Sequence, residues 1–403
     1  MLAHLIASCA EVFDRIVVVI GPGMDTLAAI AAPHAVVVQT DRLGTAHAAL
    51  QAAAHFGDGD VAVLYADNPL IRPDTLRALL AARGHAGLAL LAMRPADPGR
   101  YGRVVMDGLD VSRIVEWADA TEDERAIPLC NAGVLCADAQ AFGGWLRRVT
   151  PSPKGEFYLT DCVALARADG QRVTAVEAPA EQLRGVNSRA ELAEAEATVQ
   201  GWLRDAAMAG GTTLTLPGSV VFSADTRLEP DTVVGSHVVF GPGVTVETGA
   251  EIKAFSHLEG VTVGAGAVIG PYARLRPGTF VGAGAHVGNF VELKATTLGA
   301  GAKANHLSYL GDSTIGAGTN IGAGTITCNY DGYAKHRTTI GAGVFVGTSA
   351  VLVAPVTLGD GAFVAAGSVI TRDVAADAMA FGRAAQTEKP GRAALYRAAR
   401  RRV

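Results

Sequence analysis

The spacing of apolar residues changes character at about residue 211. Upstream, short β-branched runs alternate with Ala/Leu-rich segments, whereas downstream apolar residues recur at steps of six, with one step of five and two longer interruptions. Neither the helical nor the strand period keeps this register. The repeated positions are Val234, Phe240, Val246, Ile252, Leu258, Val263, Ile269, Leu275, Val281, Val287, Leu293, Ile315, Ile321, Ile340, Val346, Leu352, Leu358, Val364 and Ile370.

A six-residue repeat predicts a triangular prism in which each hexapeptide supplies one flat side and one corner. The apolar residue points inward, a glycine or small residue beside it lets the chain turn, and three hexapeptides close one coil. Coils stack through parallel-strand hydrogen bonds about 4.8 Å apart. A β-sandwich with glycine-rich turns is the ordinary alternative, but so many repeats in register favour an all-β, left-handed parallel β-helix over residues 211–403.

The segment 1–189 predicts an α/β domain. Runs such as IVVVI and LALLAM alternate with helical segments such as TLRALLAARG, a pattern typical of helices packed around a mostly parallel sheet. Residues 190–210 are nearly all strong helix formers and end at Gly210 and Gly211, which indicates a linker helix. We therefore expect three regions, 1–189, 190–210 and 211–403.

One interruption of the period predicts a loop outside the prism. The interval from Ile321 to Ile340 exceeds a multiple of six by one position, and it contains the polar and aromatic segment TCNYDGYAKHRT. Insertions in solenoids commonly map to a binding face. We expect a binding site beside this loop, between the subunits of a homotrimer.

Composition narrows the partners and the cellular setting. The formal net charge of −5 gives no reason to expect nucleic acid or an anionic membrane as a partner. Five cysteines without C-x-x-C spacing argue against a disulfide framework or a zinc site. The apolar runs are too short for a membrane span and no signal peptide is apparent, so we expect a cytoplasmic protein. The basic residues of the tail, expected to be solvated, are Arg392, Arg397, Arg400, Arg401 and Arg402.

Polar residues cluster in the segments around the loop. Arg276, Lys294 and Lys335 supply three cations suited to a phosphate group, because each phosphate oxygen favours a charge-assisted donor. His306 can accept a proton near neutral pH, and the backbone N–H groups of the IGAGT run at 321–325 are candidates to hold an oxyanion. A lone histidine on a solenoid is more often a packing residue, but the neighbouring loop and cations reverse that expectation.

The motifs NHLSYLGD and NIGAGTITCNYDG, together with the hexapeptide array, resemble the bacterial family of bifunctional N-acetylglucosamine-1-phosphate uridyltransferase/glucosamine-1-phosphate N-acetyltransferase enzymes. The resemblance runs from about residue 1 to the end of the chain. It implies acetyl-CoA-dependent acetylation of glucosamine 1-phosphate, and then UMP transfer from UTP to N-acetylglucosamine 1-phosphate with release of pyrophosphate. It further implies a place in UDP-N-acetylglucosamine synthesis, and so in the making of peptidoglycan and lipopolysaccharide.

The resemblance also assigns roles to residues of the β-helix. His306 matches the general base, with Glu292 behind it as an orienting group. Thr348 stands where a serine is common, and both residues offer a hydroxyl. The matching sugar-phosphate residues are Arg276, Lys294, Tyr309, Asn320 and Lys335, and the matching acetyl-CoA contacts are Ala323, Asn329, Tyr330, Thr348, Ala366 and Arg383.

In the first domain, LYAD at 64–67 places an acidic residue after a predicted strand, where open α/β sheets bind ligands. Asp67 is a candidate ligand for Mg²⁺ bridging nucleotide phosphates, although a single Asp after a strand is as often a cap or turn residue. The resemblance implies Mg²⁺ held by Asp67 and Asn187, and Ala66 stands where a glycine is usual. The UDP-sugar contacts that it implies are Gln39, Gly44, Thr45, Tyr65, Ala66, Asp67, Gly102, Glu116, Asn131 and Asn187.

One part of the family pattern is not found in this sequence. The family opens with a strand and a Gly-rich L-x-x-G-x-G-T-R-M loop followed by a lysine, which cradle the triphosphate. GPG at 21–23 lacks the arginine and lysine of that loop. We therefore expect a Rossmann-like nucleotidyltransferase domain that is N-terminally truncated, with either a start codon assigned too late or an impaired first domain as the explanation.

Three alternatives to the bifunctional reading remain open. The first is an acetyltransferase whose first domain is inactive. The second is a zinc-dependent hydratase on the same prism, which needs three histidines at a subunit interface, and the candidates His286, His306 and His336 have no ligand-like spacing. The third is a non-catalytic scaffold, against which the NYDGYAK loop argues.

Overall fold

The computed structural model describes residues 1–400. The chain divides after Val199 into two compact units, and each has its own hydrophobic core. Arg401 and Arg402 of the basic tail lie outside the described residues. Among the described helices, none has both the length and the apolar composition needed to cross a bilayer.

The first unit combines short helices with two sheets. Its helices are α1 (Leu2–Ala10), α2 (Asp25–Ala31), α3 (Thr45–Gln51), α4 (Pro73–Arg83), α5 (Glu122–Arg125), α6 (Ala139–Arg148), α7 (Asp161–Ala168) and α8 (Ala180–Leu183), with a 3₁₀ turn at Ala53–His55. Its strands are β1 (Val17–Ile20), β2 (Ala35–Val38), β3 (Asp60–Val63), β4 (Leu88–Met93), β5 (Arg103–Asp107), β6 (Asp110–Val115), β7 (Cys130–Asp138) and β8 (Val173–Glu177). The predicted α/β class is confirmed.

The main sheet of this unit is mixed, so the expectation of a mostly parallel sheet is wrong. Its strand order is β6-β5-β7-β4-β8, with β3 also paired to β7, and only the β4–β8 pairing is parallel. β7 lies antiparallel to β3, β4 and β5, and β5 and β6 form a hairpin that turns at Gly108, where φ is +61°. Because a tight hairpin can join only antiparallel strands, β5 and β6 cannot be parallel, although alternating strands and helices in a sequence predict parallel strands. β1 and β2 form a separate parallel pair.

The core of the first unit lies on both faces of the main sheet. All six residues of β4 are buried, which is why its sequence is continuously apolar rather than alternating. Successive side chains of a strand point to opposite faces. One face buries Leu88, Leu90 and Ala92 with Phe142 and Trp145, and the other buries Ala89, Leu91 and Met93 with Leu76 and Leu79.

A single helix, α9 (Arg189–Ala209), runs through the point in the sequence at which the first unit ends, after Val199. It ends at Gly210 and at Gly211, whose φ of +93° suits a residue without a Cβ. In the second unit the buried Gln200 side chain donates to the Phe222 carbonyl (2.7 Å) and accepts from the Phe222 amide (2.8 Å). These two bonds fix the last turns of the helix on the first coil of the domain that follows.

The second unit is a parallel β-helix of three stacked sheets. Sheet 1 contains β10 (Arg227–Leu228), β13 (Thr245–Val246), β16 (Val261–Val263), β19 (Thr279–Val281), β22 (Thr297–Leu298), β25 (Ser313–Ile315), β28 (Thr338–Ile340) and β31 (Val356–Leu358). Sheet 2 contains β9 (Thr213–Leu214), β11 (Val233–Val234), β14 (Glu251–Ile252), β17 (Val268–Ile269), β20 (His286–Asn289), β23 (Lys303–His306), β26 (Asn320–Ile321), β29 (Phe345–Val346), β32 (Phe363–Val364) and β34 (Met379–Ala380). Sheet 3 contains β12 (Val239–Phe240), β15 (His257–Leu258), β18 (Arg274–Leu275), β21 (Glu292–Lys294), β24 (Tyr309–Gly311), β27 (Ile326–Cys328), β30 (Val351–Val353) and β33 (Val369–Ile370). A 3₁₀ turn covers Pro217–Ser219, and α10 (Arg392–Arg400) follows the coils.

The six-residue period identified the interior of this unit correctly. Every repeated apolar position in the sequence pattern is buried in one continuous core. Leu298, Ala304 and Leu310 are also buried there, although the period missed them. They follow a second five-residue step after Leu293, which shifts the register by one. The parallel β-helix is confirmed, and its left hand stays a prediction.

The predicted loop leaves the prism between β27 and β28. Residues 329–337 contain only an isolated bridge between Tyr330 and Lys335. The sequence-based start of the loop was too early, because Thr327 and Cys328 still pair with Leu352 and Val353 in sheet 3. The loop therefore begins at Asn329, beside the outer face of sheet 3.

Candidate functional site

The predicted catalytic histidine lies at the corner where the chain passes from sheet 2 to sheet 3, here called corner 2/3. His306 is the last residue of β23, and it pairs in register with Asn289 of the coil before it. Its Nδ1 lies 2.8 Å from Oδ1 of Asn289. Because that oxygen can only accept, Nδ1 is the donor of this bond, and in the neutral ring the lone pair then lies on Nε2. The side chain of Asn289 thus holds His306 in the tautomer that a general base needs.

Glu292, expected to orient His306, has a different partner. Its carboxylate accepts a hydrogen bond from Nη1 of Arg276 at 2.9 Å. The expectation was wrong because Glu292 lies on the outer face of sheet 3, beyond the corner that carries His306. Asn289, which lies one coil before His306, takes the orienting position instead.

Three of the predicted sugar-phosphate residues lie on the outer face of sheet 3. Arg276 follows β18, Lys294 ends β21, and Tyr309 begins β24 directly beside Glu292 in register. Lys294 is 3.1 Å from both carboxylate oxygens of Asp312. Asp312 was not singled out in the sequence, although it follows Lys294 by one coil. Arg276 and Lys294 are thus each paired with a carboxylate on this face.

Lys335 adds a third cation from the loop. The adjacent Lys294 ammonium lowers the pKa of Lys335. Burial alone would raise the pKa of the Asp312 carboxyl, but the hydrogen bonds from Lys294 and Asn329 outweigh it and hold this pKa below its ordinary value. Arg276 pairs with Glu292 and lies near Glu259, and Lys294 pairs with Asp312. Lys335 has no ion pair within residues 1–400, so it supplies the excess positive charge suited to an anion.

Gly311 makes room for this arrangement. A Cβ on Gly311 would lie 2.5 Å from the Tyr309 hydroxyl and 2.7 Å from Nδ2 of Asn329. The same two side chains approach each other at 3.5 Å, with Asn329 donating to the hydroxyl. Since no larger residue fits without moving them, Gly311 fixes where Tyr309 and Asn329 lie.

Asn320 is not brought to this face. It lies on the outer face of sheet 2, next to Lys303 and Phe345 in register. Within residues 1–400, no hydrogen bond or ion pair joins its side chain to the cation cluster on sheet 3. The predicted sugar-phosphate set is therefore divided between two faces of the prism.

Three of the predicted acetyl-CoA residues form one column with His306. Gly324 donates to the His306 carbonyl (3.2 Å), Ser349 to that of Ala323 (2.7 Å) and Gly367 to that of Thr348 (2.8 Å). His306, Ala323, Thr348 and Ala366 thus occupy equivalent positions in four successive coils; this set is called the base column. Arg383 packs beside its last member, since a Cβ on Gly367 would lie 3.7 Å from Cδ of Arg383.

Tyr330, also predicted to contact acetyl-CoA, is exposed on the loop, where its hydroxyl donates to the Gly332 carbonyl at 2.6 Å. Asp331 organises the rest of the loop. Its carboxylate accepts hydrogen bonds from the amides of Tyr333 and Ala334, and it pairs with Nε2 of His336 at 2.7 Å. The amide of Ala334 and the His336 ring, with a smaller effect from the Tyr333 amide, hold the pKa of Asp331 well below its ordinary value. The His336 side chain is therefore bound to another residue of the same loop.

The backbone donors of the IGAGT run are mostly occupied. The amides of Gly322, Gly324 and Thr325 all donate to backbone carbonyls at 2.8–3.3 Å. The amide of Ala323 makes no hydrogen bond within residues 1–400. The backbone N–H group of Ala323, in the coil next to His306, is therefore the remaining candidate in this run to hold an oxyanion.

The predicted metal ligands of the first unit converge on one point. A Cβ on Gly185 would lie 3.6 Å from Nδ2 of Asn187 and 3.8 Å from Oδ2 of Asp67. The Val186 amide also donates to the Asp67 carbonyl at 2.8 Å, which ties the two segments together. A carboxylate and an amide side chain with room between them fit Mg²⁺, which takes few protein ligands and completes its shell with water and phosphate oxygens.

The predicted uridine contacts and the predicted sugar contacts form two groups, and the residues of each group contact one another or a common neighbour. Gln39 donates to the Gly44 carbonyl (3.2 Å), and the Thr45 hydroxyl accepts from the Leu159 amide (2.9 Å). In the second group the Asn131 amide donates to the Gly102 carbonyl (2.8 Å), and a Cβ on Gly102 would lie 3.4 Å from Oε2 of Glu116.

Burial raises the pKa of the Glu116 carboxyl, although the hydrogen bond from Thr160 opposes it. Burial likewise raises the pKa of Tyr65, against a hydrogen bond with Thr45. His47 and Thr160 contact these groups and were missed, because isolated polar residues at or near helices carry no sequence signal.

A cavity of about 700 Å³ lies beside this network. Thr45, Tyr65 and Ala66 line it, together with mostly apolar side chains of α1, β1 and β3. Charged phosphate groups lose hydration in such surroundings. The cavity therefore suits apolar contacts and not a triphosphate.

Comparison with known proteins bears on both units. A family model described as a MobA-like NTP transferase domain matches residues 1–134, and a model of the bacterial transferase hexapeptide (six repeats) matches residues 337–372.

Three similar relatives are each named bifunctional protein GlmU. The protein of Gluconacetobacter diazotrophicus is 70% identical over 410 residues, covering 100% of this chain and 89% of that protein. The protein of Granulibacter bethesdensis is 63% identical over 404 residues, covering 98% and 90%. The protein of Acidiphilium cryptum is 60% identical over 400 residues, covering 98% and 92%.

We predict that Gly311→Ala damages the sheet 3 face without unfolding the prism. The added methyl must displace Tyr309 and Asn329, so the KM for the sugar phosphate should rise roughly tenfold, in line with about 1.4 kcal/mol of lost binding. Steady-state kinetics of CoA release measures this. Gly218→Ala is the matched control, since nothing lies within 4 Å of its added Cβ. Equal KM values for both variants would refute the assigned role of Gly311.

Proposed function

Since the chain belongs to the family of bifunctional GlmU proteins, we propose how its two units divide the chemistry of that family. The chain is an enzyme of UDP-N-acetylglucosamine synthesis, with glucosamine-1-phosphate N-acetyltransferase and N-acetylglucosamine-1-phosphate uridyltransferase activities. Similarity over nearly the whole chain favours both activities over acetyltransferase activity alone, a zinc hydratase or a scaffold. We assign acetylation to corner 2/3 and uridyl transfer to the network around Asp67.

The base column beside the cation cluster carries the first assignment. The phosphate of glucosamine 1-phosphate binds Arg276, Lys294 and Lys335, where the excess positive charge lies. Acetyl-CoA lies along Ala323, Thr348 and Ala366, with Arg383 near its phosphates. The sugar amine and the thioester then meet at His306, since both proposed paths end there.

His306 supplies the proton transfer that the reaction needs. An amine is mostly protonated at neutral pH and must lose a proton to attack the thioester carbonyl. The ammonium first releases one proton to solvent, and Nε2 of His306 takes a second proton from the nitrogen as the nitrogen bonds to the carbonyl carbon, while Nδ1–H of His306 donates to Asn289. The amine nitrogen forms a bond to the carbonyl carbon, the amide of Ala323 donates to the developing oxyanion, and the C–S bond breaks. The proton held on His306 passes to the departing CoA sulfur.

A second copy of the chain completes the site in this proposal. Asn320 and the cation cluster lie on different faces of one prism, so a single chain does not bring them together. A homotrimer would place sheet 2 of one subunit against sheet 3 of the next, as closed cyclic assemblies repeat one contact. Asn320 of the neighbouring copy would then contact the sugar phosphate.

In the first unit, Asp67 and Asn187 would hold Mg²⁺. The ion would neutralise charge on the nucleotide phosphates when bound. Gln39, Gly44 and Thr45 form the uridine group, with Tyr65 and Ala66 beside Asp67. Gly102, Glu116 and Asn131 form the sugar group. The protein itself positions the sugar phosphate oxygen against the α-phosphate of UTP, which is the main requirement of phosphoryl transfer.

Replacing His306 should abolish most acetyl transfer. We expect His306→Ala to lower kcat for CoA release about 10²- to 10⁴-fold, the usual contribution of a general base. Thermal unfolding should change little, because the side chain is exposed. His286→Ala, on the same sheet, is the control and should keep most activity. Near-normal turnover of His306→Ala would remove its role, and equal loss in both variants would revive a histidine-bound metal.

The uridyl transfer assignment is tested at Asp67. Pyrophosphate release from UTP and N-acetylglucosamine 1-phosphate should depend on Mg²⁺ and stop when EDTA is added. Asp67→Asn should lower this rate at least about tenfold, because a carboxylate ligand is lost. The control Asp58→Asn changes an exposed aspartate outside the network. Unchanged Mg²⁺ dependence in Asp67→Asn would contradict the assignment, and CoA release reports that the chain is folded.

A further inference from the structure

Corner 2/3 carries a second column of residues, each directly after a member of the base column or its equivalent in earlier coils. Every member has a positive φ, so the side chain projects from a left-handed turn. This positive-φ column contains His237, Phe255, Tyr272, Phe290, Leu307, Gly324, Ser349 and Gly367. Its residues are bulky up to Leu307 and small from Gly324 onward. The change occurs at the coil of His306.

The bulky half forms one continuous exposed surface. The rings of His237 and Phe255, of Phe255 and Tyr272, and of Tyr272 and Phe290 stack with centroids 4.8, 4.9 and 5.3 Å apart. Leu307 continues this stack by one coil and is 61% exposed, more than any of the three larger rings. The Leu307 side chain therefore projects from the corner at the end of the row of bulky side chains, next to His306.

The small half leaves the corner open. Gly324 and Gly367 have no side chain, and Ser349 has a short one, so backbone lines the corner beside Ala323, Thr348 and Ala366. An extended ligand can lie on these three coils without meeting a column residue as large as those before Gly324, and Arg383 lies beside Gly367 at the far end. The same ligand cannot continue past His306 without meeting Leu307.

The direction of the acyl donor follows from this arrangement. In the proposed function CoA lies over the coils after His306 and reaches that residue with its thioester. The acyl group is attached on the far side of the thioester from the pantetheine chain. It therefore points toward the bulky half of the positive-φ column.

We propose that Leu307, backed by Phe290, closes the acyl end of the donor site and restricts the enzyme to short acyl groups. This inference rests on the proposed acetyltransferase function and assigns its donor specificity to a residue that does not contact the sugar. An acetyl methyl is short enough to end before the Leu307 side chain, whereas an acyl chain with further methylenes must displace that side chain. Leu307 is thus a specificity residue, and His306 remains the base.

The test compares acetyl-, propionyl- and butyryl-CoA as donors for glucosamine 1-phosphate, with CoA release as the readout. Leu307→Ala should raise the ratio of kcat/KM for butyryl-CoA over acetyl-CoA about tenfold or more, the usual discrimination for a methylene or two. Leu307→Gly should do the same and also relieves the backbone, because glycine accepts positive φ without strain. Leu307→Phe should shift the propionyl-to-acetyl ratio in the opposite direction.

Phe255→Ala is the matched control. It removes a similarly exposed side chain from the same column, three coils before Leu307, and should leave the donor ratio unchanged. Unchanged donor ratios in both Leu307→Gly and Leu307→Phe, with acetyl transfer intact, would overturn the proposal. So would a changed oligomeric state without a changed ratio, since Leu307 would then be a subunit contact. No CoA release by the wild-type chain from acetyl-CoA would instead contradict the proposed function itself.

Discussion

The stacking of coils through parallel backbone hydrogen bonds is the constraint on which the second unit depends. Each coil places a residue directly beside its equivalent in the next coil. Sequence neighbours are thereby separated onto different faces, and residues one coil apart are brought into contact. His306 meets Asn289 and not Glu292, and Lys294 meets Asp312, for this reason alone. The candidate site therefore consists of columns of side chains held in place by the rigid stack of coils.

The same stack of coils holds charges that would otherwise separate. Coils lie about 4.8 Å apart, so charged residues in one column must either alternate in sign or repel. Arg276 and Lys294 lie next to each other in one column, and the carboxylates of Glu292 and Asp312 offset their repulsion, whereas Lys335 shares the neighbourhood of Lys294. The prism supplies the rigidity that keeps this excess positive charge in place, and an anionic ligand relieves the repulsion. Affinity for a sugar phosphate therefore follows from geometry fixed by the apolar interior.

Sequence reasoning recovered the prism because its interior imposes a strict period. Only inward residues must be apolar, so their spacing reveals the coils directly. It missed Leu298, Ala304 and Leu310 because coil length varies by one position, and it chose Glu292 over Asn289 because a linear motif does not show which residues stack. In the first unit the apolar runs of β1 and β4 were recognised as strands, but the strand directions were not, since hydrophobicity does not record whether a neighbour pairs parallel or antiparallel. The charged site residues were identified by motif, whereas the roles of Asp312 and Gly311 depend on contacts between coils.

The central claim is that the acetyltransferase site joins sheet 3 of one subunit to sheet 2 of another. Complementation tests it directly: Lys294→Ala and Asn320→Ala chains, each nearly inactive alone, are unfolded, mixed in equal amounts and refolded together. Each site takes one face from each of two copies, so after random assembly about a quarter of all sites should be intact, and CoA release should return to about that fraction of wild type. A mixture of Lys294→Ala with Arg276→Ala, both on sheet 3, should recover nothing. No recovery in the first mixture, with mixed trimers present, would contradict the account, because Lys294 and Asn320 would then act within one chain.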